Sequence, residues 1–196
     1  MERSIVVAAP LDVAYDRVLG DELTGFFDRG HLLLPAIDDT VRLSGPDRWG
    51  TEARQSRRIV LADGGSMVET VRRIDAPSEI EYVMSDLTGP FAALFSGVLG
   101  TWTFESVAGG TRVTWRWRLR PRNPAGRLAA PMIAGMWQGY AAKALERIRT
   151  RLGSREDDRM RAITQHRFGA PSDLRVGAAP APTLADGRAR ARDRPR

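Results

Sequence analysis

Hydrophobic residues recur at helical spacing along one long segment, roughly residues 124–152. Positions i, i+3 and i+4 are apolar, which predicts an amphipathic helix with one wide apolar face. This face comprises Leu128, Met132, Ile133, Met136, Trp137, Tyr140, Ala144, Leu145, Ile148 and Leu152. Asn123 is suited to cap the helix before Pro124, and Gly153 is suited to end it. Because Pro131 lacks a backbone N–H, we expect a kink or a false start before it.

The residues before this helix alternate between apolar and polar positions, which predicts an antiparallel sheet on which the helix can pack. Turn residues at 62–65 and 108–110 separate alternating runs. The predicted strands span residues 4–9, 40–44, 51–61, 66–75, 79–86, 100–107 and 111–120. Two short helices, 11–19 and 21–28, follow the first strand, and residues 87–99 are interpreted as a small helical flap over one end of the sheet.

The last predicted strand shows the clearest alternation. One face carries Val113, Trp115, Trp117 and Leu119, and the other carries Arg112, Thr114, Arg116, Arg118 and Arg120. Pairing Phe104 with Val113 places Trp102 opposite Trp115 across the hairpin. The pattern therefore predicts a wall of aromatic side chains under the long helix.

The composition is that of an ordinary globular protein, with 42% hydrophobic and 28% charged residues in a chain of 196. Cysteine is absent, which excludes disulfides, thiolate nucleophiles and cysteine-ligated metals. Only two histidines are present, and no apolar run reaches the ~18 residues of a membrane span. The N-terminal residues lead into a strand pattern rather than a signal peptide. We therefore expect a soluble cytoplasmic protein without transmembrane segment, metal or cofactor.

The net charge of +6 is concentrated near the C-terminus. Residues 1–153 hold 20 basic and 18 acidic groups, whereas residues 154–196 hold 10 and 6. No nucleic-acid partner is therefore expected for the first segment, which is predicted to be the folded domain. Residues from 169 onward are rich in Ala, Pro, Gly and Arg, and such a composition predicts a largely disordered tail over 154–196.

Several segments resemble one known family. They are residues 4–18, the turn at 62–65, residues 71–82 with their Asp-Ala-Pro, residues 100–104 and residues 110–117. In these segments, and in element order over about residues 2–152, the chain resembles the helix-grip proteins of the START-like superfamily (SRPBCC), in their polyketide cyclase/dehydrase and lipid-transport branch. The resemblance implies an α+β fold in which a curved antiparallel sheet of about seven strands wraps a long C-terminal helix. It also implies a ligand cavity between the sheet and the helix. The resemblance supports ligand binding more strongly than it supports a catalysed reaction.

The register of the hairpin around residues 62–65 predicts which side chains face that cavity. With Asp63 and Gly64 at the tip, Ile59 pairs with Val68, Arg57 with Thr70 and Gln55 with Arg72. The resulting candidate pocket residues are Gln55, Arg57, Thr70, Arg72, Tyr82, Met84, Trp102, Phe104, Trp115, Trp117, Met132, Met136 and Tyr140. The opposite face would carry Arg54, Arg58, Glu69, Arg73 and Glu81 as a solvated ionic ladder.

Alternatives remain open for these residues. A one-residue slip or a bulge reverses both faces and leaves Arg57 and Arg72 in solvent. The three strand tryptophans and Phe104 are interpreted as structural core under the helix rather than as dedicated ligand contacts, although core and cavity wall merge in such a fold. Phe26, Phe27, Phe91 and Phe95 are candidate gate residues, and for the last two simple core coverage is an equal alternative. His31 is interpreted as a surface or capping residue rather than as an acid–base group.

The chain shows no nucleophile–base pairing, no metal-ligand spacing and no phosphate-binding glycine loop. The first functional hypothesis is therefore binding of a small hydrophobic, partly oxygenated molecule, lipid- or polyketide-like. The second is a polyketide aromatase/cyclase or dehydratase in which Arg57, Arg72 and Tyr82 act as oxyanion donors or general acids. The third is an interaction module whose basic segment, residues 187–196, contacts an acidic partner. The oligomeric state is left open.

Overall fold

The computed structural model describes residues 1–20, 30, 34–157, 159–164 and 175–180. Residues 1–153 form one compact unit and residues 154–196 another. The elements are β1 (Glu2–Val7), α1 (Leu11–Gly20), β2 (Ile37–Ser44), β3 (Ser56–Leu61), β4 (Ser66–Asp75), β5 (Glu79–Ser85), α2 (Pro90–Leu94), β6 (Phe95–Val107), β7 (Gly110–Pro121), α3 (Pro124–Asp157), β8 (Arg159–Thr164) and β9 (Arg175–Pro180).

Seven of these strands form one antiparallel sheet in the order β1-β7-β6-β5-β4-β3-β2. The sheet and the long helix α3 together make the helix-grip fold, so the predicted fold class is confirmed. The buried residues of α3 are Ile133, Met136, Trp137, Tyr140, Ala141, Ala144, Leu145, Ile148 and Leu152, and they belong to the same core as the inward residues of the sheet. None of the described helices is long and apolar enough to cross a membrane.

The second unit contains the paired strands β8 and β9. The sequence predicts a largely disordered tail here, and the structure places these two strands within it. The basic segment 187–196, on which the interaction-module hypothesis depends, lies outside the described residues. The second predicted short helix, residues 21–28, also lies outside them.

The β6–β7 hairpin has the predicted register. Phe104 pairs with Val113 and Trp102 with Trp115. The turn between the strands is short, and Gly109 adopts a φ of 87°, a left-handed conformation that glycine takes without strain. The aromatic wall therefore stands where the alternation predicted it.

The predicted register of β3 and β4 is wrong by one residue. Ile59 pairs with Met67 and Arg57 with Glu69. The cause lies in the turn, where the Leu61 N–H donates to the Gly65 carbonyl and the Asp63 side chain accepts from the Gly65 N–H. Three residues therefore lie beyond the last pair instead of two, and this slip turns every β4 side chain to the other face. Met67, Glu69 and Val71 consequently point inward.

Three further expectations need correction. Residues 95–99 belong to β6 rather than to a helical flap, because Leu99 pairs with Val83 and Val98 with Met84. The helical part of that segment is limited to α2. In α3 the helix continues through Pro131 without interruption, so it makes no false start there. Leu128 and Met132, predicted to lie on the buried face, are 85% and 55% exposed.

Candidate functional site: an aromatic cavity with a buried ion pair

A cavity lies between the concave face of the sheet and α3. Its volume is about 60 Å³. Its lining residues are Val18, Leu19, Ile37, Trp49, Arg57, Ile59, Leu61, Met67, Glu69, Tyr82, Met84, Trp102, Trp115, Trp117, Tyr140 and Ile148. Four of the five tryptophans of the chain are among them. Only Arg57 and Glu69 are charged, so the cavity is an apolar site with a few convergent polar groups.

One half of the cavity is built around the hydroxyl of Tyr82 on β5. The indole N–H groups of Trp115 and Trp117 both donate to this oxygen, at 2.7 and 2.9 Å. Trp115 stacks in parallel on Trp102, with ring centroids 4.8 Å apart. The aromatic side chains of β5, β6 and β7 thus form one hydrogen-bonded cluster.

Gly100 makes this cluster sterically accessible. It pairs with Tyr82 on one side and with Trp117 on the other, in the middle of three adjacent strands. A Cβ at Gly100 would overlap the ring and the hydroxyl of Tyr82. The missing side chain therefore leaves the space in which the Tyr82 ring crosses β6 toward the Trp117 indole.

The two indole donors leave the hydroxyl proton of Tyr82 without an acceptor among the described residues. A phenol oxygen has two lone pairs and one proton, and both lone pairs are used here. Among the described residues no acceptor lies within hydrogen-bond distance of that proton. Burial, followed by the negative charge of Glu69, raises the pKa of Tyr82 well above its usual value. Tyr82 is therefore a neutral hydrogen-bond donor and not a base.

The other half of the cavity contains an ion pair. Arg57 Nε donates to Glu69 Oε2 at 2.6 Å, across the β3–β4 ladder. The side chains of Arg57 and Glu69 are only 12% and 4% exposed. The Arg57 guanidinium carbon also lies 3.9 Å from the centroid of the Trp49 ring, a cation–π contact. The sheet thus holds the Arg57 guanidinium at the edge of a mostly apolar space. This group is charged and can donate two parallel hydrogen bonds to one ligand group.

Trp49 is held in place by a buried glutamine. The side-chain oxygen of Gln55 accepts from the backbone N–H groups of Gly50 and Thr51, and its nitrogen donates to the carbonyls of Pro46 and Arg48. One amide side chain thereby organises the β2–β3 loop, as buried polar groups require. Gln55 supports the site through this loop and does not line the cavity.

A second, more polar cleft of about 200 Å³ adjoins the cavity. Three residues line both spaces, namely Leu19, Trp49 and Arg57. The further lining residues of the cleft are Gly20, Thr40, Arg42, Pro46, Asp47, Gln55 and Ser56. Since the same three side chains face both spaces, they form the partition between the inner cavity and the outer cleft. Rotation of Trp49 or Arg57 would join the two.

Tyr140 contributes the wall from α3. Its pKa is raised by burial, so its hydroxyl is also neutral. It lies across the cavity from the sheet residues, and Tyr140 and Ile148 are the two α3 residues in the lining. The long helix is therefore one wall of the cavity along a limited stretch only.

The structure separates the predicted pocket residues into groups. Arg57, Tyr82, Met84, Trp102, Trp115, Trp117 and Tyr140 line the cavity. Phe104 and Met136 are buried in the core without lining it, and Phe104 packs edge-on against Tyr15. Thr70 and Arg72 lie on the outer face because of the register shift, and Arg72 faces Glu81 there. Met132 lies on the exposed side of α3.

The predicted gate residues lie elsewhere. Phe26 and Phe27, like His31, are outside the described residues. Phe95 is fully buried, and Phe91 packs against it with centroids 4.7 Å apart. Neither Phe91 nor Phe95 lines the cavity, so both cover the core at the end of the sheet.

Two of the charged and aromatic side chains that line the cavity were not predicted from the sequence. Glu69 was assigned to solvent by the wrong register, although an acid between Met67 and Val71 at alternate positions was a usable signal. Trp49 lies in the β2–β3 loop, where a large aromatic residue among turn residues indicates a buried contact. Within the described residues no cluster of three or more His, Cys, Asp or Glu side chains could hold a metal.

Residues 1–153 match the family model described as "Polyketide cyclase / dehydrase and lipid transport". No curated protein matches the chain. Among solved structures, a Nitrosospira multiformis protein is 16% identical, with a TM-score of 0.56, over 80% of this chain and 98% of that one. The major latex-like protein 151 of Panax ginseng is 12% identical, with a TM-score of 0.55, over 78% and 95%.

A third structural neighbour is the di-domain ARO/CYC StfQ from the steffimycin biosynthetic pathway. It is 16% identical with a TM-score of 0.52, and the match covers 81% of this chain and 46% of that one. Identities this low establish a shared fold and nothing about ligands.

Proposed function

Because the chain belongs to the polyketide cyclase/dehydrase and lipid-transport family, we propose that its cavity binds a small hydrophobic molecule with an oxygenated group. The observation that carries the proposal is the combination of an apolar, tryptophan-rich lining with two polar groups directed into it. These groups are the hydroxyl proton of Tyr82, which no residue of the described part of the chain accepts, and the buried guanidinium of Arg57. A ligand carbonyl, phenol or carboxylate would satisfy either donor.

The size of the cavity limits how this ligand can bind. About 60 Å³ is far below the roughly 300–1,000 Å³ of typical small-molecule sites. A lipid- or polyketide-like ligand therefore needs more room than the closed cavity supplies. We infer that Trp49 and Arg57 move apart to connect the cavity with the outer cleft, which adds about 200 Å³. Their cation–π contact would break on ligand entry.

Tryptophan fluorescence offers a direct test because four tryptophans line the cavity. N-phenyl-1-naphthylamine, a neutral apolar probe, should quench this fluorescence and gain emission by energy transfer. Native mass spectrometry of protein from its own host should then show a bound mass that competes with the probe. Absence of both probe binding and a bound mass would contradict the proposal.

A matched pair of variants distinguishes the cavity from the surface. Leu61→Trp adds bulk at the cavity wall, whereas Val60→Trp introduces the same side chain on the opposite face of β3. Leu61→Trp should abolish probe binding and keep the fold, and Val60→Trp should leave probe binding unchanged. Equal loss in both variants would place the probe outside the cavity.

We propose cyclase or dehydratase chemistry as a second function, favoured by the proximity of Glu69 to Tyr82. Glu69 is close enough for its charge to raise the Tyr82 pKa. In such a reaction the Glu69 carboxylate would take a proton from the carbon beside a ketone, and Tyr82 would donate to the enolate oxygen formed. Arg72, assigned a role of this kind from the sequence, lies on the outer face and takes none.

Proton abstraction can be measured without the natural substrate. Deuterium exchange beside the carbonyl of 2-acetylnaphthalene, followed by NMR, should be faster with the protein than with buffer. Glu69→Gln should remove the acceleration, while the control Glu81→Gln on the outer face should retain it. Exchange at the buffer rate in the presence of bound ketone would leave binding as the function.

A further inference from the structure

The first half of α3 carries a surface that the cavity does not use. Residues 128–142 include no charged residue on any side of the helix. A helix that is apolar all round is normally buried all round. Leu128 and Met132 are nevertheless 85% and 55% exposed, and a Cβ at Gly135 would meet no atom within 4 Å. This apolar surface is therefore open among the described residues.

Cations flank the same end of the helix. Residues 106–145 contain seven basic side chains and no acidic one. Arg120 and Arg122 precede α3 directly, and Arg127 lies in its first turns next to Leu128. All three are exposed, and none pairs with a carboxylate of the described residues. An apolar tip and an unneutralised basic group thus adjoin one another along the chain.

We propose that this end of α3 docks on an anionic lipid membrane. Leu128 and Met132 would enter the boundary between head groups and acyl chains, and Arg122 and Arg127 would bind lipid phosphates. Stable attachment to a membrane needs two such signals, apolar insertion and cationic attraction. Protruding apolar side chains such as Leu128 suit a fluid surface better than a folded partner, which would need a matching pocket.

The proposal concerns a different surface from the cavity and stands whether or not the cavity binds a ligand. Co-sedimentation of the full chain with vesicles of phosphatidylcholine, with and without phosphatidylglycerol, tests it. The protein should sediment with the anionic vesicles and be released by added salt. Leu128→Ser/Met132→Ser should bind about tenfold more weakly, and Arg122→Gln/Arg127→Gln about thirtyfold more weakly on the anionic vesicles only.

Matched controls come from exposed residues elsewhere on the sheet. Leu43→Ser on β2 and Arg58→Gln on β3 remove the same kinds of side chain and should bind like the unaltered protein. Three outcomes would overturn the proposal. They are no preference for phosphatidylglycerol, undiminished binding of both double variants, and a dimer that Leu128→Ser/Met132→Ser dissociates without any vesicle binding.

Discussion

The two halves of the cavity bury polar groups in opposite ways. Around Tyr82 the groups are neutral, and two indole N–H groups donate hydrogen bonds to the Tyr82 hydroxyl oxygen. Around Arg57 the groups are charged, and only one hydrogen bond to Glu69 is made, at the Nε position. The first arrangement is closed by strand pairing within β5, β6 and β7. The second depends on a loop residue, Trp49, which no strand holds.

This difference indicates how each half of the cavity can interact with a ligand. A network of neutral donors and acceptors that satisfies itself rigidifies the core. A buried ion pair gains little net stability, because desolvation of the charges offsets their attraction. We therefore propose that Arg57 and Glu69, in a small and mostly apolar space, serve ligand recognition rather than stability. In the proposed binding mode the Tyr82 half is rigid and offers one fixed donor, its hydroxyl proton, and the Arg57 half is the adaptable part.

The largest expected effect comes from removal of one charge. Glu69→Ala should lower the free energy of unfolding by about 3–5 kcal/mol, because it leaves the Arg57 guanidinium buried without its carboxylate. Urea denaturation measures this. The double variant Arg57→Met/Glu69→Leu should recover to within about 1 kcal/mol of the unaltered protein, yet lose preference for oxygenated ligands. A double variant as unstable as Glu69→Ala would show that the pair is scaffold after all.

Tyr82→Phe breaks the neutral half. The indole N–H groups of Trp115 and Trp117 would lose their shared acceptor, and two unsatisfied buried donors should lower the free energy of unfolding by about 2–4 kcal/mol. Thermal or urea unfolding, with near-ultraviolet circular dichroism as a reporter of the tryptophans, measures the loss. Tyr15→Phe is the control, because the Tyr15 hydroxyl makes no hydrogen bond to a described residue and its removal should be neutral or stabilising.

Gly100→Ala should have a smaller effect on the same half. The added methyl overlaps the Tyr82 ring, which must shift away from Trp117. We expect a decrease of about 1–3 kcal/mol in the free energy of unfolding. Combining it with Tyr82→Phe should add less than the sum of the single effects, since both act on one network. Full additivity would mean that Gly100 serves something other than the Tyr82 ring.

The two halves of the cavity also differ in how well the sequence predicted their strand register. The β6–β7 register follows from a short glycine turn, and it places Trp102, Trp115 and the Tyr82 side of the cavity correctly. The β3–β4 register depends on an Asp63 side-chain hydrogen bond that adds one residue to the turn. Such a bond leaves no mark in the alternation, because both faces of β4 mix apolar and polar residues. Glu69 and Thr70 exchange places through that one bond.

The hydrophobic pattern of the sequence could not predict where a loop residue lies or which helix residues are exposed. Trp49 enters the cavity because four hydrogen bonds to Gln55 shape its loop, and periodicity does not describe loops. Met132 has the spacing of a buried helix residue, yet it lies on the exposed side of α3 while its neighbour Ile133 is buried. Spacing shows which residues share a helix face. The extent of the opposing surface decides which of them are buried.

Alkaline pH tests the neutral half with the smallest and most gradual effect. Burial raises the pKa of Tyr15, Tyr82 and Tyr140 in the folded protein, and these are the only tyrosines of the chain. Unfolded tyrosine releases its proton near pH 10, so above that value the unfolded state binds fewer protons and stability falls with rising pH. The slope should reach at most about 1.4 kcal/mol per pH unit for each tyrosine. Tyrosinate absorbance should appear together with unfolding. Tyr82→Phe should reduce the slope, because it removes one of the hydroxyl groups that stay protonated in the folded protein and lose the proton on unfolding.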